Sequence, residues 1–160
     1  MISPEEVKRK AEKWYKEAQK INRLVNSSLG RFMYLNMNIS PKLLLKKGFA
    51  DKKSLSKVVH QHYIQAFPDK DSRISLLNLA KELVGSSDWY QKQWEQLDLL
   101  ANKKWLILWG TEDAFITRDY LMKWQEKLPN ATVRELESGH FVQEEAKEES
   151  IQAIRIFIQD

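Results

Sequence analysis

Cysteine is absent from the 160 residues, which excludes disulfides, Cys-ligated zinc and thiol nucleophiles. Glycine is scarce at five residues, and their spacing builds no phosphate-cradling loop. No apolar run approaches the ~18 residues that a membrane span needs. The sequence opens on a charged helical pattern rather than a signal peptide, so cytoplasmic residence without membrane contact is expected. Neither sign of charge dominates. Twenty-six Lys and Arg stand against 22 Asp and Glu, a net +4, and the interspersed acids argue against nucleic acid as a partner. What remains is 42% hydrophobic and 30% charged, the balance of a soluble globular chain with a sizeable core.

The first part of the chain reads as helices. Ser3-Pro4-Glu5-Glu6 combines an N-cap Ser, a first-turn Pro and a capping-box Glu. Val7, Ala11, Trp14, Ala18, Ile21 and Val25 then recur at helical spacing, and the helix is expected to stop near Asn26. Ser40-Pro41 opens a short helix that Gly48 closes. Ser54 is expected to cap a helix reaching about Phe67, where Pro68 ends it. Asp71 or Ser72 starts another that ends at Gly85, and Ser87 caps one carrying Trp89, Trp94, Leu97 and Leu100.

At Lys104 the pattern changes. Residues 105–109 are a continuous apolar run followed by Gly110, which predicts a strand buried on both faces. Thr117 caps a helix that Pro129-Asn130 breaks, residues 132–136 read as a second strand, and a last helix covers about 144–157. The order is β-α-β-α, hence a parallel pair with a right-handed crossover. Such a pair needs neighbours on both sides, so this reading leaves the sheet incomplete, with open edges suited to a partner chain or a second copy.

Chemistry concentrates at the ends of the two strands. Trp109-Gly110-Thr111-Glu112-Asp113 puts an acid just past the first, and Ser138-Gly139-His140 puts a histidine just past the second. Either residue alone reads as an ordinary loop residue. Together, on successive parallel strands, they meet at the carboxyl edge, where open α/β sheets place their sites. His60 and His62, two apart on one helix, point to different sides and make a poor metal pair. Glu112 is expected to face solvent. The six tryptophans fall mostly on apolar stripes and read as packing residues rather than base-stacking platforms.

From Leu29 to Gln159 the sequence resembles the C-terminal part of α/β-fold hydrolases of the haloalkane dehalogenase type. The segments that carry the likeness are Leu29-Gly30-Arg31-Phe32-Met33-Tyr34, Asn38-Ile39-Ser40-Pro41, Gly85-Ser86-Ser87-Asp88-Trp89-Tyr90, Trp109 to Phe115 and Gly139 to Ala146. The resemblance implies an α/β class fold: a helical cap over residues 1–102, then a β-α-β-α segment over 103–160. It implies Asp113 as triad acid, His140 as general base, and Trp89, Trp94 and Phe115 as pocket-lining residues. It implies no cofactor and no metal.

Departures from that family are as informative. Its nucleophile sits on a sharp strand-to-helix turn ahead of the cap, with an oxyanion-hole loop earlier still, and neither segment occurs in these residues. Asn26-Ser27-Ser28-Leu29-Gly30 and Gly85-Ser86-Ser87-Asp88 imitate such a turn, yet both lie between helices and read as turns and N-caps. Lys147 stands where the family often has Pro. Without the residues beside a nucleophile, dehalogenation, epoxide hydrolysis and ester hydrolysis are not separated. The leading expectation is therefore part of a hydrolase, inactive alone, that acts on a small molecule only when a complementary N-terminal half completes it. The alternatives are a non-catalytic oligomerising or engineered module, and a basic helical binding module.

Overall fold

A computed structural model of the chain describes Lys16 and residues 19–159. The predicted opening at Ser3–Glu6, and most of the apolar stripe that follows, lie outside the described residues. In chain order the elements are α1 (residues 19–26) and α2 (Ser28–Leu35), then a π-helical turn (Ser40–Leu44) that runs into α3 (Leu45–Lys47). Next come α4 (Lys57–Gln65), α5 (Lys70–Gly85), α6 (Ser87–Glu95) and a 3-10 turn (Gln96–Leu100). The chain finishes with β1 (Leu106–Gly110), α7 (Arg118–Lys127), β2 (Thr132–Leu136), α8 (Val142–Glu145) and α9 (Lys147–Gln159). No helix among the described residues is long and apolar enough to cross a membrane.

Two compact units emerge. One holds the described residues up to Ile39 together with Gln65–Tyr90; the other holds Ser40–Ile64 and the chain from Gln91 onward. Contacts therefore do not divide at residue 102. Residues 40–64 pack with the β-α-β-α segment rather than with the helices that flank them in sequence.

The first unit is built on α2 and α5. Ser27 caps α2, its Oγ accepting from Gly30 N at 3.0 Å. The chain turns so tightly there that a Cβ on Gly30 would strike the Leu24 carbonyl. Val25, Leu35 and Leu77 form the core, with Tyr34 and Ala80 against them. Burial pushes the Tyr34 phenol up from its ordinary range. Arg73 donates to the Leu35 carbonyl at 2.9 Å and to the Phe67 carbonyl at 3.0 Å, placing a cation at the C-terminus of α2.

Helix α5 starts earlier than expected. Asp69, not Asp71 or Ser72, is the N-cap: its Oδ1 accepts from Ser72 N at 2.8 Å, and the Ser72 side chain returns the bond. The Ser72 backbone N–H, then the Ser72 hydroxyl, hold the Asp69 carboxyl below the usual carboxylate range. A depressed folded-state value contributes stability above the unfolded-state pKa and loses it as pH falls through the folded one. Asp69→Ala is thus expected to lower Tm at neutral pH, by a margin that closes on acidification below the normal carboxylate range. Parallel thermal melts against pH check this; a margin that persists in acid would assign the effect to something other than the cap charge.

In the second unit β1 and β2 are parallel, with Leu106 opposite Thr132 and Gly110 opposite Leu136. The parallel β-α-β-α order read from the sequence is the one observed. The expectation of burial on both faces of β1 is corrected: residues 106–109 are half-buried and Gly110 alone is buried. The described sheet has two strands, so each strand has one neighbour to cover it. Helix α4 is entered from Ser56, whose Oγ accepts from Val59 N at 3.2 Å, rather than from Ser54, whose own N–H is used in a turn to Asp51 O. The single last helix expected over 144–157 is two, broken at Ala146. Trp94 packs edge-on to Trp124 at 5.2 Å, and Trp105 tilts against the same ring at 6.3 Å while its Nε1 donates to Leu100 O.

Candidate active site

The carboxyl ends of β1 and β2 are stitched together by backbone. Thr111 N donates to Leu136 O at 2.9 Å, and Glu112 N donates to Ser138 O at 3.0 Å. Gly110 lies so close beneath residues 138–139 that a Cβ there would run into the Gly139 carbonyl oxygen and stand 2.6 Å from the Ser138 carbonyl oxygen. The two loops therefore leave the sheet side by side.

Asp113 and His140, 27 positions apart, meet above that junction. His140 Nδ1 lies 2.8 Å from Asp113 Oδ2, the carboxylate side chain being 9% exposed and the imidazole 33%. The other carboxylate oxygen, Oδ1, accepts from Phe115 N at 2.7 Å and Ile116 N at 3.0 Å. With both oxygens committed, the carboxylate has one orientation. An acceptor at Nδ1 makes that nitrogen the N–H of a neutral imidazole and leaves Nε2 a lone pair. Among the described residues Nε2 has no hydrogen-bond partner, so the arrangement can accept a proton from water or a hydroxyl placed there.

Two aromatic rings flank the imidazole edge-on, Phe115 at 5.3 Å and Phe141 at 5.2 Å. Gly48, the C-cap of α3, fits beneath both: a Cβ would be 2.5 Å from the Phe141 ring and 3.0 Å from Phe115. Phe141 also stacks on Phe49 at 5.1 Å. Below it, Tyr63 OH donates to Glu144 Oε1 at 2.7 Å. Burial, then the Glu144 carboxylate, pushes the Tyr63 phenol up.

Of the residues singled out in the sequence, Asp113, His140 and Phe115 come together. Trp94 instead belongs to the Trp124 cluster, and Trp89, 57% exposed, packs on Tyr90 in the other unit. Ser27 caps α2, and Ser86 Oγ hydrogen-bonds the Glu82 carboxylate, so both elbow-like stretches are helix junctions. His60 Nε2 meets Pro41 O at 2.9 Å, a packing contact. Glu112 is exposed, as expected. Sequence reasoning missed Gly48, Phe141 and Glu145. The last closes α8 and takes backbone N–H groups from both sides of the site; the paired Glu144-Glu145 just after His140 was the available signal.

Cis-3-alkyl-4-alkyloxetan-2-one decarboxylase of Shewanella oneidensis is 28% identical over 140 residues, which cover 83% of this chain and 43% of the relative. The chain thus spans less than half the length of the curated relative it matches. The sequence profile of the alpha/beta hydrolase fold matches residues 12–147, and the chain belongs to that family.

Proposed function

We propose that Asp113 and His140 are the acid and base of a catalytic triad whose nucleophile lies outside these 160 residues. The observation that carries this reading is the 2.8 Å contact of His140 Nδ1 with a carboxylate whose second oxygen two backbone amides already hold. The nucleophile, a carboxylate or a hydroxyl, attacks an electrophilic carbon of the substrate. His140 Nε2 takes the proton of the attacking water or hydroxyl, while Asp113 keeps the reactive tautomer and stabilises the imidazolium that forms.

We read the helices ahead of β1 as lid-type helices of that family, and Phe115 forms an apolar wall beside the base. The relative's name specifies a four-membered lactone with two alkyl substituents, a strained and largely apolar electrophile. We place this chain's substrate in the same class: small apolar molecules with a strained or activated carbon, among them lactones, epoxides, haloalkanes and esters. On the segments quoted from the sequence, we read the chain as being of haloalkane dehalogenase type, the lid, acid and base portion of such an enzyme.

The test is a completed enzyme, made by substituting this chain for the matching segment of the Shewanella relative. The expected result is carbon dioxide release from a cis-3-alkyl-4-alkyloxetan-2-one by the chimera, and none by the isolated chain on that substrate or on esters, epoxides and haloalkanes. A chimera that unfolds cooperatively yet turns nothing over would overturn the acid and base assignment. Turnover by the isolated chain would overturn the external nucleophile.

A further inference from the structure

The imidazole can face Asp113 only if the loop that carries it is held, and strand β2 ends four residues before His140. The holding groups lie on segments far apart in sequence. Gly139 N donates to Glu145 Oε2 at 2.8 Å. The same carboxylate takes Asp51 N on Oε1 at 2.9 Å and Ala50 N on Oε2 at 3.3 Å. His140 N in turn donates to Gly48 O at 2.7 Å. Gly48 and Gly139 are buried, so the Gly48 carbonyl and the Gly139 N–H have little water to fall back on, whereas Ala50 and Asp51 are exposed. A Cβ on Gly139 would strike the Gly48 carbonyl and stand 2.6 Å from Ala50 N and 2.8 Å from Glu145 Oε2, which shows how closely the two segments are pressed together.

We infer that Glu145 is a positioning residue: by binding Gly139 N and the amides of residues 50 and 51 together, it sets the His140 imidazole against Asp113. Bonds to a carboxylate are about twice as strong as neutral ones, and removing the acceptor strands three donors, of which Gly139 N is buried. The neighbouring Glu144 has a different task. Its Oε1 takes the Tyr63 hydroxyl and so ties α8 to α4. The geometry of the base therefore depends on residues 48–51, at the start of a long segment between α3 and α4. The consequence for rate rests on the triad reading above, but the geometric claim does not.

The decisive readout is the downfield proton resonance of the His140 Nδ1–H, measured by NMR on the 160-residue chain. Its disappearance in Asp113→Asn and His140→Ala assigns it. Glu145→Ala is expected to abolish or exchange-broaden that signal and to shift the Gly139 and Asp51 amides, while amides around Leu77 in the other unit stay in place. Glu145→Gln, which keeps one acceptor oxygen, should recover part of the signal, and Glu144→Gln should leave it intact. If Glu145→Ala does not fold, as the Leu77 region would report, Glu145→Gln against Glu144→Gln gives the same comparison. An unaltered His140 signal in Glu145→Ala or in Glu145→Gln overturns the proposal. In the chimera, Glu145→Ala should lower kcat about 10²-fold with KM little changed, the size expected of a misplaced catalytic group. A normal kcat with the NMR signal lost would sink the triad reading and leave the clamp standing.

Discussion

Asp113→Asn is expected to lower kcat of the completed enzyme by about 10⁴-fold while the chain stays folded, the size this change has in Ser-His-Asp enzymes. The asparagine oxygen can still accept from Phe115 N and Ile116 N, the bonds that shape the loop after β1. That leaves its NH₂ facing His140 Nδ1, where the carboxylate oxygen stood at 2.8 Å. Two donors cannot share that contact. The imidazole answers by moving its proton to Nε2, which blocks the lone pair needed for base work. His140→Ala reaches a similar loss by removing the base, and combining the two should cost little more than either alone, because they act as one unit. Asp113→Ala should differ: it also strands the two amides and so lowers stability as well as rate. Initial rates with matched thermal melts separate these cases. An Asp113→Asn enzyme within tenfold of the parent would show that His140 does not draw its tautomer from Asp113.

The parts of this site that were legible in sequence are those in which a side chain's place follows from the element before it. Residues 132–136 form β2 as read, β1 is displaced by one residue, and Asp113 and His140 stand where parallel strands put the residues that follow them. Their meeting follows from register: Gly110 pairs with Leu136, so the two loops depart together. Helix starts were less legible, because Ser54 and Ser56, or Asp69, Asp71 and Ser72, offer competing caps within three residues. The break at Ala146 has no Gly or Pro to announce it. Least legible was the support behind the base. Glu145 acts on backbone N–H groups up to 95 residues away, and a main-chain donor carries no sequence signature. The tryptophans were ambiguous in a different way. Trp94 lies on a stripe that a lid pocket and a core would share, and its partner Trp124 settled its packing only through the fold.

Gly110→Ala tests the junction itself, and Gly85→Ala is its internal control. A Cβ at Gly85, at the end of α5, meets nothing within 4 Å. The substitution there restricts the unfolded chain and favours helix, so a gain of about 0.4–1 kcal/mol is expected. At Gly110 the same methyl lands against the Gly139 carbonyl oxygen, with the Ser138 oxygen at 2.6 Å and the Gly139 carbonyl carbon at 2.9 Å. All three are backbone atoms, so no rotamer change relieves the contact. The strands must separate at the end where Thr111 N reaches Leu136 O and Glu112 N reaches Ser138 O. Overpacking against a rigid wall costs up to about 3 kcal/mol, occasionally more, and Gly110→Ala belongs at that upper end. The same displacement carries Asp113 and His140 apart, since each is fixed to one of the two separating loops. Urea unfolding of both variants should therefore give shifts of opposite sign, and only Gly110→Ala should lose the His140 Nδ1–H resonance. Gly110→Ala unfolding at the parent's midpoint with that resonance intact would mean the loops tolerate a methyl between them, and the site would then owe its geometry to the side chains alone.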